Sequence, residues 1–454
     1  MLFGRRIGDA NVRRLIKKIT WTSGTTYEMY RHDYSINSKS PLTDKSRLYD
    51  ANYFVMNKDF NVYICIDNGS SGINTNGNAS KDEPLFTDVE PSKAGESGDG
   101  YIWKYLFSVA PNDIIKFDST DYIAAPNNWS TSTDAQITAV RDNGNSLVNN
   151  NQIKKVYIEK QGLGYSANIT GLEVDILGDG TGGKVVIDTN NLGKITSATV
   201  SAGGQGYSYG MVDLGTINAG VNDTTAAKLI PIIPPSNGHG YDLYKELGAD
   251  KVLVYARFDD STKDFPIDTK FAQIGIIKNP NQAGSSTTVF TEAKFSSLSG
   301  IKFSSVSGTL PTAGNIIRQT VSNTNTAKGY VASYDAETKV LKYFQDRSLF
   351  FNQNTDDQTD FVGVSTSSKI EAFESSANPV TTLEGFTGVI DTTFTDSKVN
   401  PTGTKVISLD TEFTSGLSIP EINKGTGDII YIDNRPLISR NARQKEDIKV
   451  ILEF

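Results

Sequence analysis

The 454-residue chain has one cysteine, two histidines, three tryptophans and four methionines. The single cysteine, Cys65 in "NVYICIDNG", builds neither a disulfide framework nor a zinc cluster. On its alternating, strand-like run it reads as a buried small apolar residue. His32 and His239 stand apart among turn residues, so a Ser-His-Asp site has almost nothing to assemble from. No stretch approaches the ~18 apolar residues of a membrane span, and "MLFGRRIGDANVRR" has no apolar core of signal-peptide length. The chain therefore reads as made in the cytosol, staying there unless carried elsewhere in an assembly. No P-loop and no dinucleotide-binding glycine fingerprint is found. With 44 Lys+Arg against 52 Asp+Glu, the net charge of −8 repels phosphate backbones. The reading is thus no nucleic acid, no membrane and no cofactor. Carboxylates are too many to single out a glycosidase pair. The acidic glycine run "LGDGTGG" at Leu177–Gly183 lacks the spaced ligands of a calcium loop and reads as a turn.

Glycine (40), tyrosine (20) and phenylalanine (21) are abundant, a mix that favours strands and turns. The fold class expected is mainly β: a β-sandwich core with two inserted all-β modules and few short helices. The organisation expected is 1–145 as the first part of the core, 146–235 as an inserted β module, and 236–290 as the second part. A second inserted β module follows over 291–404, and 405–454 supplies the C-terminal strands. At the N-terminus, Asp9 followed by Val12, Leu15, Ile16 and Ile19 predicts a capped helix. Its opposite face would carry Arg13, Arg14, Lys17 and Lys18. "YIWKYLFSV" predicts a strand buried on both faces, and "DIIKF" and "DYIAAP" two short strands. Asp242 and Gly248 bracket a short helix. "GNIIRQTV", "KGYVASYD" and "KVLKYFQD" read as strands of the second insertion. At the C-terminus, a strand, a turn at Asn434-Arg435-Pro436 and a last strand follow, with Ile448, Val450, Leu452 and Phe454 on one face.

One pattern recurs. Gly-x-Gly-Tyr occurs at Gly98–Tyr101, Gly162–Tyr165, Gly204–Tyr207 and Gly238–Tyr241. The second and third copies are 42 residues apart, inside matching segments "IEKQGLGYS" and "VSAGGQGYS", which reads as a duplicated unit. Gly98 and Gly100 are expected to permit a tight turn that aims Tyr101 and Trp103 into the core. The four copies read as one turn solution used in two contexts, with no phosphate site.

Three stretches, "SGDGYIWKYLFSVAPNDIIKF", "FAQIGIIKNP" and "DIIYIDNRPLISRNARQKEDIKVILEF", taken in order with "VYICID", resemble the baseplate wedge protein of T4-like contractile-tailed bacteriophages, gene product eight in that system. The marine cyanophage branch is the nearest. The matching segments span residues 1–135, 236–285 and 405–454. The resemblance implies a mainly β virion protein without catalytic residues, assembled in the host cytoplasm and located in the tail baseplate. It further implies a homodimer within each wedge, contacting the wedge proteins that tie the hub to the peripheral fibre network. The two insertions exceed the family's shorter pattern, and a segment is expected ahead of "FGR", where this sequence starts.

Large interfaces favour Arg and Tyr anchors. The candidate partner-interface residues are therefore Arg13, Arg14, Lys17, Lys18, Arg435, Arg440 and Arg443, with Gly98, Gly100, Tyr101, Trp103 and Pro436 as candidate turn and core residues. The alternative is a carbohydrate-binding tail protein that offers Tyr165 and Tyr207 to host glycans.

Overall fold

The computed structural model describes residues 3–143, 152–258, 270–321, 326–345, 349, 371–409, 411–439 and 445–454. Strands account for 40% of the chain and helices for 8%, so the class is mainly β. The chain divides into two compact units: Asp9–Tyr255 with Lys449–Phe454, and Met1–Gly8 with Ala256–Ile448. The division falls inside the segments 1–145, 236–290 and 405–454.

The first strand, β1 (Phe3–Arg5), belongs to the smaller unit. The larger unit opens with β2 (Val12–Lys17), β3 (Phe54–Met56), β4 (Asn61–Asn68), β5 (Tyr101–Ser108), α1 (Pro111–Phe117), β6 (Tyr122–Ala124) and α2 (Ala135–Asn143). Strands β3, β4 and β5 form an antiparallel sheet with β4 central. As expected for a strand covered on both sides, β5 buries Tyr101, Trp103, Lys104, Tyr105, Leu106 and Phe107. Complete burial of each large side chain contributes about 1.5–3 kcal/mol.

The predicted N-terminal helix is instead the strand β2. Its two adjacent apolar residues serve two layers. Leu15 packs with Phe117, Ala124, Leu253 and Tyr255, while Ile16 joins the core of the β3–β4–β5 sheet. A run buried on both faces imitates helical spacing over six residues, and the pairing partners of β2 lie far along the chain. "DIIKF" is corrected the other way: it is helix α1, opened by Pro111 and closed onto the fully buried Phe117. A proline fits there because the first-turn N–H has no intrahelical partner.

The inserted module comprises β7 (Val156–Lys160), β8 (Leu172–Gly178), β9 (Thr181–Thr189), β10 (Ile195–Gln205), β11 (Gly210–Val212) and β12 (Lys228–Pro231). Its sheets run β10-β9-β8-β11 and β12-β7 around a core that includes Ile158, Tyr165, Val174, Ile187 and Tyr207. Then come α3 (Leu243–Glu246) and β13 (Lys251–Phe258). The Asp242 carboxylate accepts the Lys245 amide proton at 3.2 Å, and Gly248 follows the helix at φ 63°, as the sequence predicted.

The smaller unit holds β14 (Lys270–Lys278), β15 (Lys294–Ser296), β16 (Ser299–Ser307), β17 (Ile316–Thr320), β18 (Thr326–Asp335), β19 (Val340–Phe344), β20 (Val380–Thr382), β21 (Thr387–Ile390), β22 (Lys398–Val399), β23 (Ile407–Ser408), β24 (Leu417–Ser418) and β25 (Asp428–Ser439). The three strands read from "GNIIRQTV", "KGYVASYD" and "KVLKYFQD" are β17, β18 and β19. Together β16–β21 close into a six-stranded barrel through the β16–β19 pairing. Its interior is filled by Ile301, Phe303, Ile317, Leu341, Val380 and Phe386. Strands β14 and β25 form a separate two-stranded ribbon. The last strand, β26 (Glu446–Glu453), pairs beside β13 in a sheet ordered β26-β13-β2-β6. On it Ile448, Val450 and Leu452 turn inward as expected, whereas Phe454 is 84% exposed.

The expected turn at Asn434-Arg435-Pro436 is a bulge within β25. Asn434 pairs with Gln273 and Ile438 with Phe271, so residues 435–437 oppose residue 272 alone. Proline has no N–H to give a ladder, and a bulge is where a strand tolerates it.

Candidate functional site

The four Gly-x-Gly-Tyr copies share one backbone. All eight glycines have positive φ, from 62° to 91°, a region that L side chains rarely enter. In three copies the pair of glycines delivers a buried tyrosine whose hydroxyl binds a distant backbone amide. The Tyr101 oxygen accepts from Tyr27 N at 2.8 Å and donates to the Asn78 carbonyl at 2.7 Å. Its ring stacks on Trp103 at 5.2 Å. Burial pushes the Tyr101 hydroxyl pKa well above its usual value. The Tyr165 oxygen accepts from Ala227 N at 3.0 Å. The Tyr207 oxygen accepts from Gly183 N at 3.1 Å and donates to the Ile176 carbonyl at 2.8 Å. The fourth copy departs: Tyr241 is 37% exposed. There the turn itself is held, with Gly240 N donating to Glu246 Oε2 at 2.7 Å and Trp129 Nε1 to the Gly240 carbonyl at 2.9 Å.

"LGDGTGG" is the seat of Tyr207. A Cβ at Gly180 would lie 2.5 Å from the Tyr207 ring, and one at Gly183 would lie 2.8 Å from its hydroxyl. The acid of the run, Asp179, caps the returning chain. It accepts from Ser208 N at 2.9 Å and Tyr209 N at 3.2 Å, and also from Ser208 Oγ. The Ser208 hydroxyl, with help from these amides, lowers the Asp179 pKa to about 2. The carboxylate thus serves a turn, as the sequence reading had it. Tyr165 (7% exposed) and Tyr207 (1%) offer no ring face to a sugar.

The N-terminal cations are all tied within the chain. Arg13 Nε meets Asp113 Oδ2 at 2.9 Å, and its guanidinium lies 5.2 Å from the Phe117 ring centre. Arg14 lies over Tyr244 at 4.9 Å and donates to the Ala249 carbonyl at 3.3 Å. Lys17 donates to Asn52 Oδ1 at 2.9 Å, and Lys18 meets Asp118 Oδ1 at 2.7 Å. Charge at these positions thus ties β2 to α1, α3 and the following loops. Arg14 and Lys17 remain exposed.

At the other end, Arg435 pairs with Asp433 in the same strand at 2.5 Å. Arg440 and Arg443 lie outside the described residues. Pro436 is exposed at its bulge. Beside it, the ribbon exposes Ile429 (65%), Ile430 (52%) and Ile432 (49%). Three solvent-facing isoleucines within four residues make an exposed apolar stretch of the ribbon.

Both histidines are bonded inside the fold. His32 Nδ1 accepts from Ile233 N at 3.1 Å. His239 Nδ1 meets the buried Glu246 Oε1 at 2.5 Å, and its ring sits edge-on to Tyr30 at 4.7 Å. A cavity of about 10 Å³ between Tyr30, Lys154, Lys155 and His239 has room for one water. Among the described residues no group of three or more His, Cys, Asp and Glu is placed to hold a metal ion, and no helix is long and apolar enough to cross a membrane.

Sequence reasoning missed the tie between the first sheets and the inserted module. Arg31, 1% exposed, forks onto Asp33 at 2.9 and 2.6 Å and lies between the rings of Tyr34 (4.8 Å) and Tyr157 (4.0 Å). Nearby, Lys155 bridges to Asp67 at 2.6 Å. "RHDY" carries no signal for this, because Tyr157 comes from a strand more than a hundred residues away. Comparison with family models, curated proteins and solved structures finds no match for this chain.

Proposed function

We propose that the chain is a structural subunit of the baseplate wedge of a contractile-tailed bacteriophage, linking neighbouring wedge proteins during assembly and contraction of the tail. The observation that carries this reading is where the resembling stretches lie. "FAQIGIIKNP" and "DIIYIDNRPLIS", about 150 residues apart in sequence, are the two paired strands of one ribbon, β14 and β25. "DGYIWKYLF" forms the doubly covered strand β5. The stretches that carry the resemblance are therefore structural units. The ribbon also exposes isoleucines of the kind that protein partners cover.

On this reading the protein is no enzyme, works without a cofactor and is located in the virion, with other wedge proteins and a second copy of itself as partners. Co-expression with the remaining wedge proteins tests it. Co-elution in one complex of fixed stoichiometry is expected, and a chain that elutes alone contradicts the proposal. The carbohydrate-binding alternative would have to find rings other than Tyr165 and Tyr207; a glycan array probed with the full chain is expected to stay blank.

A further inference from the structure

We propose that the open edge of β26 is where two copies of this chain join, as antiparallel strands related by a two-fold axis through Ile451. The inference rests on the reading of the chain as an assembly subunit present in pairs, and adds the surface that makes the pair. Three observations carry it.

First, β26 is a regular strand with one side open. In the sheet β26-β13-β2-β6 it is the outermost strand among the described residues. Phe454 N donates to the Asp250 carbonyl at 3.1 Å, Lys251 meets Glu453 at 3.1 Å, and Arg257 meets Asp447 at 2.6 Å. These three links keep one antiparallel register with β13, so no bulge interrupts it between them. Backbone N–H and C=O groups point to alternate sides along such a strand. Phe454 turns its amide to β13, and Val450 and Leu452 therefore do the same. Lys449, Ile451 and Glu453 turn theirs outward, and an open row of this kind is a template for another strand.

Second, the charges complement themselves at this axis. Opposed residues of two antiparallel strands share a face of the sheet. With the axis through Ile451, Lys449 faces Glu453 of the second copy, twice by symmetry, while Val450 faces Leu452 and Ile451 faces Ile451. Glu453 keeps its own Lys251 on the other side. An axis through Lys449 or Glu453 sets that charge against its like, and one through Val450 or Leu452 sets Lys449 or Glu453 against Ile451. An axis through Ile448 would oppose Asp447 and Lys449, but Arg257 already forks onto both Asp447 oxygens. Directly opposed unlike charges stabilise a strand pair and like charges destabilise it.

Third, the strand leaves apolar surface open. Ile451 is 41% exposed and Phe454 84%. The axis packs the two copies of Ile451 on one face, and on the other joins the two Val450–Leu452 rows, with Phe454 next in each. The result is one continuous sheet ordered β6-β2-β13-β26-β26-β13-β2-β6, and a two-fold contact closes at two copies.

The test uses the full chain in sedimentation equilibrium and in oxidative cross-linking. Wild type is expected to be a dimer. Lys449→Glu and Glu453→Lys each set like charges against each other and should each weaken it about tenfold. Mixing the two variants should restore the pair, because every opposed charge is then Glu against Lys. Ile451→Cys, on the axis, should oxidise to a covalent dimer, and Lys449→Cys should not. Cys65, 0% exposed, does not compete. A dimer that ignores the charge changes and is not closed by Ile451→Cys overturns the β26 edge while leaving the paired subunit intact. A covalent Lys449→Cys dimer overturns the register. A monomeric wild type overturns both the pair and the edge, and co-elution with the wedge proteins decides the wedge reading separately.

Discussion

Tyr207 and Gly183 are locked together. The phenol oxygen accepts the Gly183 amide proton at 3.1 Å, and a Cβ on Gly183 would stand 2.8 Å from that oxygen. The glycine is needed twice, as a donor and as an empty space. Tyr207→Phe leaves the Gly183 amide and the Ile176 carbonyl without this partner in a buried site, a loss of about 1–3 kcal/mol. Gly204→Ala should cost about 2 kcal/mol or more, since φ is 62° there and the new Cβ would meet Gly183 N at 2.6 Å. Urea denaturation of the two variants against wild type checks both values.

Leu15 and Ile16 give a test of strand β2. Neighbours on a strand point to opposite layers, and both layers are core here. Leu15→Ala and Ile16→Ala should therefore each cost about 2–5 kcal/mol. Thermal melts of the two variants measure this.

Asp179 sets a pH dependence. Its folded-state pKa, about 2, lies below the ordinary carboxyl value of ~3.9. Its contribution is therefore fully present above the ordinary value and is lost as pH falls through the folded one. Wild type should lose more stability than Asp179→Asn between roughly pH 4 and pH 2. Chemical denaturation across that range is the measurement, and equal slopes would refute the role given to Asp179.

Arg31 should prove irreplaceable by lysine. A point charge cannot fork onto both Asp33 oxygens or stack as a plane between Tyr34 and Tyr157. Arg31→Lys should cost about 1–3 kcal/mol, and Arg31→Met about 3 kcal/mol, because it takes the cation from the Asp33 carboxylate and leaves it the neutral Ser38 hydroxyl. Circular dichroism melts at neutral pH read both.

What the sequence disclosed and concealed follows from where each signal resides. Strands β4, β5 and β17–β19 were legible because each carries its own alternation or bilateral apolar run. The Asp242 cap and the Gly248 stop were legible because capping is local. Strand β2 was not: Val12, Leu15, Ile16 and Ile19 fit a helix as well as a doubly buried strand, and the deciding contacts, Asp113 and Phe117, lie about a hundred residues on. In "DIIKF" the paired isoleucines outweighed Pro111, the one residue that signals a helix start. Pro436 was taken for a turn because a bulge is visible only once β14 supplies the register. The basic N-terminal residues read as a surface, and their contacts within the chain, to Asp113, Tyr244, Asn52 and Asp118, could not be read from the local sequence. The Gly-x-Gly-Tyr repeats announced a turn, but not that three of their tyrosines would bind distant backbone amides.

The central claim concerns place. Electron cryomicroscopy of contractile-tailed phage particles assembled with this chain tests the proposed function most directly. The account predicts density for the six-stranded barrel and the β14–β25 ribbon in every wedge of the baseplate, in paired copies. Particles whose baseplates lack this chain, or that carry it only at fibre tips, would contradict it.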